Sequence, residues 1–236
     1  MSAGFQCKKF YVAHDHCAMK VGTDGLMLGA WAPLPPKGAA ILDIGTGSGL
    51  ISLMLAQRSN GANVIDAVEL DSAAANQAAA NVAKSPWPNA VQLIKGDILT
   101  YHTNKRYRLI VSNPPFFQNA LASANPKRQQ ARHTDNLPFA LLAQKAASLL
   151  AREGDFALVL PADAAEDFIV AANACDLWLN RCCRVQTTSE KPAIRALLVF
   201  SRNNSATEYS QLLVQGSAQD YSEPYRALLK DFYLKF

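Results

Sequence analysis

The chain has 236 residues and a net charge of +4; half of it falls in the hydrophobic set and 18% is charged. That composition excludes a disordered chain and sets the expectation of one domain with one substantial core. No apolar run approaches the roughly 20 residues that cross a bilayer, and no basic stretch leads into an apolar one at the start, so neither a membrane span nor a secretion signal is expected.

The five cysteines, Cys7, Cys17, Cys175, Cys182 and Cys183, are odd in number and irregularly spaced. Reduced thiols in a cytoplasmic protein are expected, not a disulfide framework. His14, Asp15, His16 and Cys17 are all metal-binding types. No second half-site with matching spacing accompanies them, so no metal is expected, and packing or substrate contact is their expected use. Nothing repeats with the period of a solenoid.

Residues 1–38 read as an irregular segment, a lid or substrate segment, closed by the punctuation of Pro33, Pro35, Pro36 and Gly38. A strand–helix alternation then runs over 39–236. Residues 39–42 read as a strand ending at Asp43, and Leu50, Leu53, Met54 and Ala56 as a helix face. Residues 63–70 are β-rich. Residues 72–84 are dominated by alanine and stop at Ser85-Pro86, a helix and its end. Short strands follow at 91–94 and 109–112, a helix at 137–150, a strand at 156–160 and a helix at 164–174. The segments 177–185 and 194–201 are β-like with no helix between them, which makes an antiparallel pairing the easiest connection. The whole reads as an α/β chain with a mostly parallel sheet, helices on both faces and an antiparallel strand late in the chain.

Between the first strand and its helix lies Asp43-Ile44-Gly45-Thr46-Gly47-Ser48-Gly49. Glycines let such a loop turn tightly and approach a ligand, and the following helix offers free N–H groups. Glu69 ends the next strand, where a carboxylate can accept hydrogen bonds from a ribose diol. A dinucleotide fingerprint needs G-x-G-x-x-G; here the spacing is G-x-G-x-G behind an aspartate. The region resembles the Rossmann-like methyltransferases that use S-adenosylmethionine (AdoMet). That resemblance implies a seven-stranded sheet with one antiparallel strand, and Asp97, after the third strand, hydrogen-bonding the adenine amine. Asp43, Gly45, Thr46, Gly47, Gly49, Glu69, Leu70, Asp97, Ile98 and Asn113 form the expected cofactor set of the core.

Asn113-Pro114-Pro115-Phe116 follows the fourth strand. Two prolines fix φ and supply no N–H, so the exposed polar groups are acceptors: the Asn113 side-chain oxygen and the Pro114 carbonyl. An exocyclic amine or primary amide nitrogen has its lone pair delocalised. Two acceptors on its N–H bonds draw it toward tetrahedral geometry and stabilise charge as a methyl group arrives. Phe116 adds a face for stacking, worth about 1–3 kcal/mol per base. The tetrapeptide resembles the N-P-P-[Y/F/W] signature of amino-methyltransferases, with Phe116 in place of the more frequent tyrosine.

The block Phe5-Gln6-Cys7-Lys8-Lys9-Phe10, then Met19-Lys20-Val21-Gly22-Thr23-Asp24-Gly25 and Leu28-Gly29-Ala30-Trp31, resembles the YfiC family of bacterial tRNA adenine-N6 methyltransferases, as does the closing stretch from Ser222 to Tyr233. The resemblance covers nearly the whole chain and implies tRNA as partner, the target adenine lying beside the anticodon of a valine tRNA. It places Lys20, Thr23 and Asp24 over the methionine end of AdoMet. Cys7 departs from the pattern, standing where an aromatic is expected. Three basic clusters are candidates for phosphate contact: Lys8, Lys9 and Lys20; Lys105, Arg106 and Arg108; and Lys127, Arg128, Arg132 and His133. A monomer is the favoured state. A glutamine-N5 methyltransferase acting on release factors shares the core motifs, but carries a sizeable helical domain before them. A non-catalytic tRNA-binding protein is the alternative of another class.

Overall fold

The computed structural model describes residues 4–115, 138–216 and 220–235. A short hairpin of β1 (Gly4–Gln6) and β2 (Tyr11–Ala13) precedes helix α1 (Thr23–Trp31). The alternation begins with β3 (Ala40–Ile44), α2 (Leu50–Arg58), β4 (Val64–Glu69), α3 (Ser72–Ala83), β5 (Val91–Lys95) and β6 (Tyr107–Ser112). It continues with α4 (Phe139–Leu149), β7 (Leu150–Pro161), α5 (Ala165–Asn173), β8 (Trp178–Gln186), β9 (Ala193–Ser201), β10 (Glu208–Leu213) and α6 (Glu223–Leu229).

The main sheet has the order β10-β8-β9-β7-β6-β3-β4-β5. β9 runs antiparallel to both β7 and β8, and every other pairing described in this sheet is parallel. The expected seven strands with one reversed are therefore present, and an eighth, β10, adds beside β8. Its sequence, Glu-Tyr-Ser-Gln-Leu-Leu, carries four exposed residues in succession. An edge strand needs no apolar alternation of the kind that marks a half-buried one, so hydropathy did not reveal it.

Strand side chains alternate between two cores. Ile41, Leu109, Val111, Ala157 and Val159 pack with Leu26 and Leu28 of α1, Leu53 and Met54 of α2, and Tyr225 and Leu229 of α6. Leu42, Ile110, Phe156 and Leu158 point the other way, against Leu142 and Ala146 of α4 and Phe168 of α5. Phe168 stands edge-on to Phe139, Phe156 and Phe200 at 5.1–6.0 Å between ring centroids. Burying each such ring contributes about 1.5–3 kcal/mol.

The segment before Pro33, expected to be irregular, contains α1. Two glycines at helical spacing, Gly25 and Gly29, conceal it, because glycine costs about 1 kcal/mol against alanine in a helix. Tertiary packing explains them. A Cβ on Gly25 would stand 3.1 Å from Leu50 Cδ2, and one on Gly29 would stand 2.6 Å from Met54 Sδ. The glycines let α1 lie close on α2. Arg58, at the end of α2, donates from Nη1 to Gly29 O (2.9 Å) and Ala32 O (2.8 Å), satisfying carbonyls at the end of α1.

Candidate active site

The loop between β3 and α2 is built by hydrogen bonds from below. Asp43 is fully buried, and Thr46 Oγ1 and Ser52 Oγ both donate to its Oδ2 at 2.7 Å. Burial pushes its carboxyl up to about 6, against the pull of those two hydroxyls. Gly45 and Thr46 donate their backbone N–H groups to Val68 O, at 2.9 and 3.1 Å, tying the loop to β4. Gly45 and Gly47 sit at φ +71° and +57°, and a Cβ on either would meet nothing within 4 Å. Glycine is needed there for the backbone conformation, and the space before the loop is open. No side chain caps the amino end of α2, whose N-cap is Gly49, so its first amides remain available to a ligand.

Glu69 ends β4 beside this loop. Its Oε2 accepts from Gly47 N at 2.7 Å and its Oε1 from Asp71 N at 2.9 Å. Leu70, next along, is 66% exposed, an apolar surface beside that acid. At the end of β5, Gly96 N donates to Glu69 O (2.9 Å), and Asp97 Oδ1 accepts from Leu99 N (2.9 Å). Ile98 is buried behind it. The carboxyl ends of three adjacent parallel strands thus bring Asp43, Glu69 and Asp97 to one edge, where ligands of such sheets bind.

Asn113, Pro114 and Pro115 leave β6 on that same edge. Ser112 Oγ donates to Ile44 O at 3.0 Å, locking the end of β6 to the end of β3, one residue from each motif. Asn113 is half-buried, Pro114 buried and Pro115 exposed. The amino end of α1 lies against them: a Cβ on Gly25 would be 3.9 Å from Asn113 Nδ2. Phe116 lies outside the described residues.

The N-terminal arm is held down by α3. Gln77 Nε2 donates to Asp15 Oδ1 (2.5 Å), while His16 N and Cys17 Sγ donate to Gln77 Oε1 (2.8 and 3.4 Å). His14 Nδ1 accepts from Val21 N at 3.1 Å. The side chains of His14, Asp15 and Cys17 are thus engaged within the arm or with α3, whereas the His16 side chain is exposed and only its backbone N–H is bonded to Gln77. Burial, with Glu69, Asp71 and Asp15 nearby, pushes the Cys17 thiol up to about 11. Lys20 and Thr23 are exposed. Asp24, in the first turn of α1, pairs with Arg195 Nε at 2.8 Å. Arg195 comes from β9, 171 residues away, and no local pattern announces it. Because β9 is reversed, the start of that strand lies at the edge where β7 ends, with Arg195 opposite Pro161.

The basic clusters divide. Lys105 Nζ reaches both oxygens of the buried Asp66, at 3.0 and 2.8 Å, and Arg108 pairs with Glu153 at 2.6 Å. Both stand at the amino end of β6, at the far end of that strand from Asn113, and each already holds a carboxylate. Lys8 Nζ donates to Lys230 O at 2.5 Å. The cluster at 127–133 lies outside the described residues.

The open space before Gly45 and Gly47, the uncapped amides and the acids at the ends of β4 and β5 suit a nucleoside carrying a charged amino-acid tail, as AdoMet does. The family model of the methyltransferase small domain matches residues 26–171. A tRNA1(Val) (adenine(37)-N6)-methyltransferase of Musicola paradisiaca is 47% identical over 234 residues, covering 98% of this chain and 94% of the relative. Among solved structures, a predicted O-methyltransferase from Agrobacterium tumefaciens superposes with a TM-score of 0.68 at 13% identity, over 89% of this chain and 96% of the other. A TehB-like AdoMet-dependent methyltransferase from Corynebacterium glutamicum superposes with a TM-score of 0.52 at 19% identity, over 77% and 89%; both likenesses are of fold. The chain therefore belongs to the methyltransferase small domain family, within the tRNA adenine-N6 methyltransferases that its terminal blocks resemble, with AdoMet as methyl donor.

Proposed function

We propose that this protein transfers a methyl group from AdoMet to the N6 amine of an adenine in tRNA, beside the anticodon of a valine tRNA. The observation that carries the reading is the placement of Asn113-Pro114 against the glycine loop, on one sheet edge, through the Ser112–Ile44 bond. The relative from Musicola paradisiaca, which this chain matches over nearly its full length, is named as a tRNA1(Val) (adenine(37)-N6)-methyltransferase.

AdoMet supplies an electrophilic methyl on a sulfonium. Glu69, which holds Gly47 N, would accept the ribose hydroxyls. Asp97 would accept from the adenine amine, and Leu70 and Ile98 would flank the ring. Gly45, Thr46, Gly47 and Gly49 shape the loop that approaches the cofactor, with Asp43 as its buried anchor. Lys20, Thr23 and Asp24 lie toward the methionine end, Lys20 for the carboxylate and Asp24 for the ammonium. The Asn113 side-chain oxygen and the Pro114 carbonyl accept the two N–H bonds of the target amine, which orients its lone pair and stabilises the charge that develops there. Phe116 stacks on the base. The adenine leaves its stack to enter, at a cost of a few kcal/mol. No general base is needed before transfer, because the product ammonium is itself strongly acidic.

The chain acts as one domain, with residues 1–38 as a lid or substrate segment whose helix α1 packs into the core at 39–236, as a cytoplasmic monomer. No helix among the described residues is long and apolar enough to cross a membrane. The test is methyl transfer from labelled AdoMet to total tRNA and, separately, to release factors, with nucleoside analysis. Label in N6-methyladenosine of one tRNA is expected. Label on a release-factor glutamine would replace this reading with the glutamine-N5 one.

A further inference from the structure

Seven of the twelve residues of helix α3 are alanine, yet it carries Gln77 and Asn81 one turn apart, 8% and 4% exposed. Asparagine is a poorer helix former than alanine, and a buried carboxamide is costly unless its groups are paired. Asn81 is fully used. Its Oδ1 accepts from Ala13 N (3.0 Å), and its Nδ2 donates to Ala13 O (2.8 Å) and to Ser48 O (2.9 Å). The two bonds to Ala13 imitate a strand partner at the end of β2. The third reaches the glycine loop.

The peptide between Ser48 and Gly49 is thereby held at both ends. Its carbonyl accepts from Asn81, and its N–H donates to Thr46 O at 2.9 Å. That peptide sets the entry to α2, whose N-cap Gly49 has φ +84°. Gln77 holds the same arm through Asp15, His16 and Cys17. Gln77 grips the arm alone, whereas Asn81 grips the arm and the loop with one amide group.

We infer that Asn81 is a positioning residue that joins the N-terminal arm to the cofactor loop, so that docking of the arm and binding of AdoMet strengthen one another. A carboxamide is rigid. When the arm leaves, Asn81 loses two of its three partners, and the Ser48–Gly49 peptide loses its fixed orientation. When the loop is ordered by cofactor, Asn81 is held in the rotamer that receives Ala13. Linkage makes the effect reciprocal. The inference rests on the reading of the glycine loop as the cofactor site.

The test uses the full chain with Asn81→Ala, Gln77→Ala and Glu69→Ala. AdoMet affinity is measured by calorimetry, and hydrogen exchange is followed at the amides of Ala13 and His16, with those of β7 as an internal reference for folding. In the wild type, AdoMet should slow exchange at both arm amides. Asn81→Ala should weaken AdoMet by roughly tenfold or more and abolish that slowing, with β7 still protected. Gln77→Ala, in which Asn81 still holds Ala13, should speed exchange at His16 but leave Ala13 protected, and should weaken AdoMet by less than Asn81→Ala does. Wild-type affinity in Asn81→Ala with lost affinity in Glu69→Ala overturns the inference and leaves the site standing. Wild-type affinity in both overturns the site. Equal weakening in Asn81→Ala and Gln77→Ala also overturns the inference, because the arm alone would then account for the effect.

Discussion

Lys105→Met removes the ammonium from a carboxylate that has almost no other support. Asp66, on β4 next to the edge strand β5, is 1% exposed, and among the described residues its Oδ1 receives the 3.0 Å bond from Lys105 alone, while Oδ2 also receives Tyr107 OH at 2.7 Å. Breaking a buried pair from one side costs about 3–5 kcal/mol. Lys105 is itself 47% exposed, so water takes up part of the vacated contact and the expected loss falls to roughly 2–3 kcal/mol. For a chain of this size that corresponds to a Tm lower by roughly 4–12 °C. Urea unfolding of the wild type, Lys105→Met, Asp66→Asn and the double variant closes a cycle whose coupling should exceed about 1 kcal/mol. The same variants also decide whether Lys105 meets RNA. A lost phosphate contact lowers the slope of log affinity against log salt by about 0.7–0.9, whereas a role in the fold leaves it unchanged. Stability within about 0.5 kcal/mol of wild type, together with a reduced salt slope, would refute this account.

Asp43 makes stability depend on pH. Its carboxyl lies at about 6 when folded against an ordinary 3.8, so its contribution is full below about pH 4 and is lost as the pH rises through 6. Asp43→Asn keeps an oxygen for Thr46 and Ser52 but cannot titrate; the difference in urea stability between it and wild type should change by roughly 3 kcal/mol from pH 4 to 7, and a constant difference would sink the idea. Gly29→Ala should destabilise by about 1–3 kcal/mol in thermal unfolding, although helix propensity alone predicts a gain of about 1, because Met54 blocks the new methyl group; a raised Tm would show that α1 slides freely on α2. Asn113→Ala should lower turnover about 100–1,000-fold while AdoMet affinity stays within about threefold. Equal loss of both, in kinetics and calorimetry, would contradict the division of roles between Asn113 and the glycine loop.

Much of the fold was legible from residue order because local chemistry dictates it. Asp43 and the glycines after it could only be a strand end and a tight turn. Alanine over 72–83 made a helix, and two prolines ended β6. The fold class followed, as did the three acids at one edge, since consecutive βα units place every strand end on the same side. Several features came only from tertiary structure, the edge strand β10 among them. Helix α1 was hidden because Gly25 and Gly29 weaken it locally, and the gain that outweighs this is contact with Leu50 and Met54. The job of Lys105 was hidden because its partner is 39 residues away on another strand, and a cationic cluster reads the same whether it faces phosphate or a buried carboxylate. Arg195 and Asn81 carry no local signal at all; Arg195 meets Asp24 only because β9 is reversed, and Asn81 meets both Ala13 and Ser48 only because α3 packs between arm and loop. Sequence order determines what a residue's immediate neighbours make of it. Which distant groups must be neutralised or paired is decided when the sheet closes and water leaves, because only then does an unpaired polar group become costly.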